Sequence, residues 1–218
     1  MSFIMVLDTE TTNDIESPIP YDIGYVIFSE KGDILRERSF VVKEIFESQL
    51  MEYAYFKNKI PAYLEEIKNG KRVSLSMWEI RDIILRDIKE FNISKIAAHN
   101  AMFDNRALKN LIRFETCSKY RYFLPFGITI LDTLKMARQT IGISTTYKYF
   151  CNKHGYITKN KKPMLTAEAI YKWLTNADFT EAHTGLEDSR IEKEIYLKCL
   201  KMNPKIDGRL YSKKRRSL

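Results

Sequence analysis

Two carboxylates follow the first apolar segment of the chain at a spacing that puts both on one side of a strand. The uninterrupted apolar run 3–7 precedes Asp8, Thr9 and Glu10, and it predicts a strand that is buried on both faces. Side chains alternate along a strand, so the two carboxylates project together while Thr9 points the other way. Buried like charges repel each other, and a divalent cation with oxygen ligands would relieve that repulsion. The alternative is a polar strand end that binds no metal.

A third carboxylate, Asp104, falls on the apolar side of a predicted helix that begins at Ala101. At about 100° per residue it shares an arc with four apolar side chains: Ala107, Leu108, Leu111 and Ile112. Basic and amide side chains occupy the opposite arc. A carboxylate among apolar residues must be paired, cap the helix or bind a metal, and its place in the first turn keeps capping open.

The last long helix shows the same arrangement around a fourth carboxylate. Asp188 shares a stripe with Ile191, Ile195 and Cys199. Five charged residues are predicted to lie largely on the other side: Glu187, Arg190, Lys193, Glu194 and Lys198. His183 stands five residues before Asp188, close enough for both to border one site. A neutral imidazole near pH 7 can take a proton from water.

These acids need a sheet and helices to position them, and the first half of the sequence predicts both. Segments 22–29 and 34–42 predict a hairpin, which with the first strand would form a three-stranded meander. The segment 44–91 is predicted to be largely helical. Within it, Ser76 and Glu79 have the spacing of a capping box at the start of a helix.

The second half of the sequence predicts strands alternating with helices. Short strands are predicted at 93–99 and 128–131, and Asp132 is predicted to cap a helix over 134–139. Three further helices are predicted: 146–151, 166–173 and 187–202. Strands first, followed by alternating helices and strands, indicate an α/β fold with a central mixed β-sheet flanked by α-helices.

The composition is that of one globular domain with a basic surface. The 218 residues are 44% hydrophobic and carry a formal net charge of +8, which argues against global disorder and favours a polyanionic partner. Cys117, Cys151 and Cys199 are scattered, as in a reducing compartment. With no spanning-length apolar run and no recognisable signal segment, we expect no membrane partner. The expected location is the cytoplasm of a bacterium or of a phage-infected host cell.

Residues outside the acidic motifs are candidates for contacting nucleic acid. The basic loop 153–162 and the tail 213–216 could follow a single-stranded backbone. The basic loop 70–72 is either a solvated turn or a phosphate contact. Four tyrosines could stack on bases or simply pack: Tyr120, Tyr122, Tyr147 and Tyr149. We predict that His99 packs at a strand end and that His154 lies in the basic loop.

Three motifs resemble the exonuclease motifs of the DnaQ-like superfamily, in its DEDDh subgroup. The motifs are Asp8-Thr9-Glu10-Thr11-Thr12, His99-Asn100-Ala101-Met102-Phe103-Asp104 and His183-x-x-x-x-Asp188. Members of this family are 3′–5′ exonucleases related to the proofreading subunits of DNA polymerases. The resemblance covers about residues 1–202 and leaves 203–218 as a basic C-terminal tail. The sequence departs from the family pattern at Gly185 and Ser189, where alanine is usual, and at Asn13, where glycine often stands.

The resemblance implies a ribonuclease H-like fold and removal of nucleoside 5′-monophosphates from the 3′ ends of single-stranded DNA. It implies two divalent cations, Mg²⁺ or Mn²⁺. Four carboxylates would hold these ions: Asp8, Glu10, Asp104 and Asp188. His183 would take the proton from the attacking water. Three residues are candidates for holding the terminal nucleotide: Thr9, Thr11 and Phe103.

Two other functions stay open on the sequence. An exoribonuclease that trims RNA 3′ ends would carry the same acidic motifs, because selectivity lies in contacts to the 2′-hydroxyl. A nucleic-acid-binding module or polymerase accessory factor with little catalysis is the other alternative, and the intact acids argue against it. The expected partner is single-stranded nucleic acid, with DNA favoured over RNA, and a DNA polymerase is the candidate protein partner.

Overall fold

The strands form one mixed sheet in the computed structural model, which describes residues 3–12, 16–180 and 183–211. The strands are β1 (Phe3–Thr11), β2 (Pro20–Ser29), β3 (Ile34–Val42), β4 (Val73–Leu75), β5 (Lys95–Ala98) and β6 (Thr129–Asp132). The helices are α1 (Lys43–Phe46), α2 (Ile60–Lys68), α3 (Met77–Glu90), α4 (Ala101–Thr116), α5 (Thr133–Gln139), α6 (Thr145–His154), α7 (Ala167–Thr175) and α8 (Gly185–Met202). Short 3₁₀ helices span Gln49–Tyr53, Lys57–Lys59 and Ile141–Ile143.

The sheet has the strand order β4-β3-β2-β1-β5-β6. Strand β2 is antiparallel to both β1 and β3, whereas β5 is parallel to β1 and β6 is parallel to β5. One core lies between the sheet and α1–α4, and a second lies between the sheet and α5–α8. The predicted α/β architecture, with a central mixed sheet flanked by helices, is confirmed.

Strand β1 is buried on both faces, as its apolar sequence predicts. Met5 and Leu7 contribute to the core under α1–α4, while Ile4 and Val6 contribute to the core under α5–α8. Because alternate side chains pack into opposite cores, a slip of β1 by one residue would move each side chain into the wrong core. The strand therefore fixes the position of whatever side chains stand at its carboxyl end.

Local signals in the sequence set the starts of two helices as predicted. At the start of α3, the Ser76 hydroxyl accepts a bond from the Glu79 amide, and the Glu79 carboxylate accepts one from the Ser76 amide. At the start of α5, Asp132 Oδ1 accepts bonds from the amides of Leu134 and Lys135. These caps satisfy amide groups that have no partner within the helix.

Three local predictions are wrong, and each has a physical reason. The predicted helical segment 44–91 contains strand β4, which pairs parallel to the end of β3 and is too short to show an alternating pattern. His154 lies in the last turn of α6, because the helix continues until Gly155 adopts a positive φ of 78°. In the basic loop 70–72, Gly70 and Lys71 are exposed as a solvated turn would be, but the Arg72 side chain is buried and paired with Asp22.

The C-terminal part of the described chain folds back onto the sheet. The amide of Asp132 donates to the carbonyl of Gly208, and the amide of Leu210 donates to the carbonyl of Ile130. The basic cluster 213–216 lies outside the described residues, so its role stays a prediction. Within the described ranges, no helix combines the length and the apolar character that crossing a bilayer requires.

Candidate active site

An open cavity lies where β1 ends, and residues from distant parts of the chain line it. Its lining contains five carboxylates and two histidines, together with small and aromatic side chains. The lining residues are Asp8, Thr9, Glu10, His99, Asn100, Phe103, Asp104, Thr166, Ala167, His183, Asp188 and Glu192. The four acids and the histidine of the three motifs therefore meet in one place.

Strand β1 brings Asp8 and Glu10 to the cavity because they are two residues apart on one strand. Asp8 lies opposite Gly24 of β2, and Glu10 lies opposite Asp22. The pairing becomes irregular after Glu10, so the strand ends directly behind the second carboxylate. Thr11 is buried at this end and does not contribute to the cavity lining; its nucleotide contact stays a prediction.

Asp104 is held in place by β1 itself. Its Oδ1 accepts hydrogen bonds from the Thr9 amide at 3.2 Å and from the Thr9 hydroxyl at 2.9 Å. The turn before α4 places Asn100 in the left-handed region at φ 66°, and the Asn100 amide donates to Asp132 Oδ1 at 3.2 Å. Thr9, predicted to hold a nucleotide, thus orients a carboxylate, and Asp132 fixes the start of α4 as well as α5.

Asp22 anchors the start of α8, the helix that carries Asp188. Its Oδ2 accepts a hydrogen bond from the Gly185 amide at 3.0 Å and another from the Tyr63 hydroxyl. Arg72 Nη1 lies 3.0 Å from the same oxygen, and the Arg72 guanidinium stacks over the Tyr63 ring. The helix start is therefore tied to β2 through a buried ion pair, a contact that the sequence did not reveal.

Small residues let α8 approach the sheet closely enough to reach Asp8. A Cβ on Gly24 would lie 2.0 Å from the carbonyl carbon of Gly185, and one on Gly185 would lie 2.5 Å from the Gly24 amide nitrogen. The Ser189 hydroxyl donates to the carbonyls of both glycines. The departures from the family pattern at Gly185 and Ser189 therefore belong to one close backbone contact.

His183 is stacked on Phe56 beside the carboxylates. The two rings are parallel to within 13°, with centroids 4.2 Å apart. Burial lowers the pKa of His183, and the charge of Lys59 lowers it further, although Glu168 opposes this. The imidazole is therefore neutral near pH 7 and able to accept a proton.

Two carboxylates of the cavity, Asp8 and Asp104, have raised pKa values. Burial raises the pKa of Asp8 well above its ordinary value, and the neighbouring acids, Glu192 first among them, raise it further. Burial raises the pKa of Asp104 to about 7, against the hydrogen bonds from Thr9. Crowded carboxylates of this kind favour cation binding, because a positive ion offsets both desolvation and repulsion.

The donor set suits a divalent cation. Single ligand atoms of Glu10, His183 and Asp188 lie within 4.8 Å of one another. Ligands on opposite sides of a Mg²⁺ ion are about 4 Å apart, since each bond is about 2.0–2.1 Å long. Small side-chain rotations would therefore allow Glu10 and Asp188 to share one ion with the His183 ring beside it, and Asp8 and Asp104 line the same cavity.

The remaining candidates divide between the cavity and the core. Phe103 lines the cavity next to Asp104. His99 also reaches it, but its ring nitrogens bond to the Thr133 hydroxyl and the Leu165 carbonyl, so its predicted packing role is confirmed. Tyr147 is buried in the core, which excludes base stacking, whereas three tyrosines are exposed: Tyr120, Tyr122 and Tyr149.

Phe56, which stacks on His183, and Glu192, which lines the cavity, were not predicted from the sequence. Phe56 comes from a segment between two 3₁₀ helices that shows no periodic pattern. Glu192 lies one helical turn after Asp188, about 40° away from it at 100° per residue, so its position on the helix was a signal that could have identified it.

Solved structures of exonuclease I superpose on this chain. No protein-family model and no curated protein matches the sequence. Exonuclease I from Methylocaldum szegediense superposes with a TM-score of 0.60 at 15% identity. E. coli exonuclease I in complex with a dA16 oligonucleotide superposes with a TM-score of 0.59 at 12% identity.

Each of these matches covers 94% of this chain but only 42% of the exonuclease chain. The chain therefore spans less than half the length of the structures that it resembles. At these identities the likeness shows the fold, and the predicted resemblance is confirmed at the level of the fold. The chain has the ribonuclease H-like fold of exonuclease I.

Proposed function

We propose that the chain is a metal-dependent 3′–5′ exonuclease that acts on single-stranded DNA and releases nucleoside 5′-monophosphates. One observation carries the proposal: the motif acids and the motif histidine, which come from three distant parts of the chain, line a single cavity. The fold shared with exonuclease I supports it, as does the dA16 oligonucleotide bound to the E. coli enzyme.

Four carboxylates would hold two divalent cations: Asp8, Glu10, Asp104 and Asp188. Carboxylate oxygens are the ligands that Mg²⁺ and Mn²⁺ prefer. Bound at this position, the ions would supply charge stabilisation for both the attacking and the leaving oxygen of an in-line displacement. Thr9 fixes one oxygen of Asp104 through two hydrogen bonds. The Asp104 carboxylate is therefore already oriented before an ion binds.

His183 would accept the proton of the attacking water. Its lowered pKa supports this role, because a neutral ring is needed to take up a proton. Stacking on Phe56 restricts the ring to one plane. Water attacks the terminal phosphodiester, the bond to the 3′ oxygen of the shortened strand breaks, and the terminal nucleotide leaves as a 5′-monophosphate.

The side chains on the surface beside His183 are of the kinds that bind a nucleic-acid strand. Tyr53 and Tyr55 are exposed on the same segment as Phe56, and the Tyr55 ring contacts the edge of Phe56. Lys57 and Lys59 follow directly in the sequence. Aromatic rings next to basic side chains bind single strands by stacking and charge attraction. A polymerase partner and a cytoplasmic location stay predictions.

A single assay tests the proposed reaction. The purified chain is incubated with single-stranded DNA and RNA, labelled at the 5′ end or at the 3′ end, with Mn²⁺, with Mg²⁺ or with EDTA. We expect 5′-labelled DNA to shorten stepwise and 3′-labelled DNA to release a labelled mononucleotide, in both cases only with metal. Shortening of RNA alone would identify an exoribonuclease, and intact substrates in all samples would contradict the proposal.

Substitution of His183 tests the proton acceptor. We expect His183→Ala to lower turnover by about 10²–10⁴-fold, the usual contribution of a general base, while Mn²⁺ still stabilises the protein against heat. His154→Ala, a histidine on the surface of α6, is the matched control and should leave the rate unchanged. An unaltered rate in the His183 variant would remove it from the mechanism.

A further inference from the structure

Helix α8 carries a second buried acid into the cavity, one turn beyond Asp188. Glu192 is only 3% exposed and lines the cavity together with the motif carboxylates. A glutamate is rarely buried to this degree in a protein core unless a specific interaction offsets the loss of hydration. It is not one of the four acids that the resemblance assigns to the metal ions.

The geometry of the helix directs Glu192 towards Asp8. Residues four apart on a helix share a face, so Glu192 follows Asp188 along the side of α8 that packs on β1 and β2. Glu192 and Asp8 line the same cavity, together with Asp188. The charge of Glu192 also raises the pKa of Asp8.

The neighbours of Glu192 on the helix show that an apolar residue would suit this position. Ile191, Ile195 and Cys199 are buried on the same helix, and replacing a buried charge by an apolar side chain of similar size often stabilises a protein. A fifth carboxylate adds to the repulsion in the metal-free cavity. It becomes favourable when the cavity holds positive charge.

We propose that Glu192 is a fifth carboxylate of the metal site, where it acts beside Asp8 to strengthen the binding of divalent cations. This inference rests on the proposed function, because it concerns the same ions. It assigns to Glu192 a role in affinity for the metal rather than in proton transfer or in binding the strand. The cation would be held more tightly than by the four motif acids alone.

The test measures Mn²⁺ binding without nucleic acid, by calorimetric titration of the EDTA-treated and desalted full chain. Glu192→Gln keeps the size of the side chain and removes its charge, and we expect Mn²⁺ affinity to fall about 10-fold or more. The matched control is Glu194→Gln, because Glu194 lies on the same helix with a side chain that is 46% exposed beside Lys193. The Mn²⁺ affinity of this variant should equal that of the wild type.

Thermal unfolding gives a second readout with the same variants. In EDTA, Glu192→Gln should unfold at the same temperature as the wild type or above it, since one crowded charge is gone. With Mn²⁺ its gain in unfolding temperature should be smaller, because stabilisation by a ligand follows its affinity. If the glutamine variant does not fold, Glu192→Met, which suits a buried helix position, must show the same loss of affinity.

The outcomes separate this inference from the proposed function. Wild-type Mn²⁺ affinity in the Glu192 variants, together with lost binding in Asp188→Asn, would overturn the role of Glu192 and leave the metal site intact. Absence of Mn²⁺ binding by the wild type would overturn both. Weakened binding in Glu192→Gln with normal binding in Glu194→Gln supports the fifth carboxylate.

Discussion

Asp22, which is fully buried, and Asp8, which is partly buried, lie on neighbouring strands, yet their surroundings differ in the sign of the charge. Burial raises the pKa of Asp22, but Arg72, Tyr63 and the Gly185 amide all act to lower it. Burial also raises the pKa of Asp8, and the charged neighbours that act on it raise it further. One carboxylate is neutralised by the protein, while the other is surrounded by more carboxylates.

The difference indicates which acid supports the fold and which serves a ligand. The chain can compensate a buried carboxylate with arginine where it needs to, since Asp87 also pairs with Arg36 and Arg38. The cavity around Asp8 gathers five carboxylates, and its described lining contains no lysine or arginine. Such a site would be stabilised by a cation from solution, so metal binding and stability should be coupled there and not at Asp22.

Removing the charge of Asp8 should have the largest effect on nuclease activity. We expect Asp8→Asn to lower metal-dependent nuclease activity by about 10³-fold or more, because a loss of several kcal/mol of charge stabilisation corresponds to that factor. The unfolding temperature in EDTA should stay the same or rise, since repulsion is relieved. Rate assays and thermal unfolding measure the two effects.

The control for this variant is Asp82→Asn, because Asp82 is an exposed carboxylate on α3 and should tolerate the change in both assays. Full activity in Asp8→Asn would contradict the assignment of this acid to the metal site. A marked fall in its unfolding temperature in EDTA would show instead that Asp8, like Asp22, is a structural acid.

Removing Arg72 should destabilise the fold strongly. Arg72→Met leaves Asp22 buried beside its hydrogen-bond donors without a cation, which typically costs about 3–5 kcal/mol. The control is Arg190→Met, because Arg190 pairs with Glu37 at 2.8 Å but is 44% exposed, and such surface pairs contribute about 1 kcal/mol or less. Urea denaturation measures both free energies of unfolding, and similar losses in the two variants would contradict the comparison.

The sequence was sufficient to predict the elements that carry strong local patterns. The apolar run of β1 identified the central strand, and the positions of Asp104 and Asp188 within apolar helix faces predicted correctly that both are buried. The motifs then indicated that these acids meet, although they lie far apart in the chain. Their proposed roles at the metal ions stay predictions.

Contacts that depend on tertiary packing were missed. Arg72 follows a glycine and a lysine in a basic loop, and only the position of Asp22 on β2 makes it a buried ion pair. Lys193 was predicted to lie on the outer side of α8, but it is buried with its ammonium near the Gly32 carbonyl. Long side chains can be buried along their stems while the charged end finds a partner.

Substitution of Thr9 tests whether its hydroxyl orients Asp104 for metal binding. Thr9→Val removes the hydroxyl that donates to Asp104 but keeps the amide bond. We expect metal affinity or turnover to fall about 10–100-fold, as for other groups that orient metal ligands, and Thr9→Ser should restore most of it. If Thr9 instead contacted the terminal nucleotide, KM for DNA would rise while Mn²⁺ affinity stayed unchanged.

We also expect the stability of the metal-free protein to depend on pH. The folded state holds the proton of Asp104 up to about pH 7, whereas the unfolded chain releases it near pH 4. Between these values the folded state binds more protons than the unfolded state, so this group makes stability fall as the pH rises. Above about pH 7 both states are ionised and the group adds no further slope.

Thermal unfolding in EDTA between about pH 5 and 7 measures this slope. Asp104→Asn cannot titrate, so its unfolding temperature should fall less over the window than that of the wild type. Equal slopes in the two proteins would show that Asp104 is ionised in the folded state without a metal. With saturating Mn²⁺, the wild type should lose the part of its pH slope that comes from Asp104. The bound ion requires the ionised carboxylate and favours loss of its proton. The slope in EDTA and its loss with Mn²⁺ together distinguish a carboxylate neutralised by a proton from one neutralised by a metal.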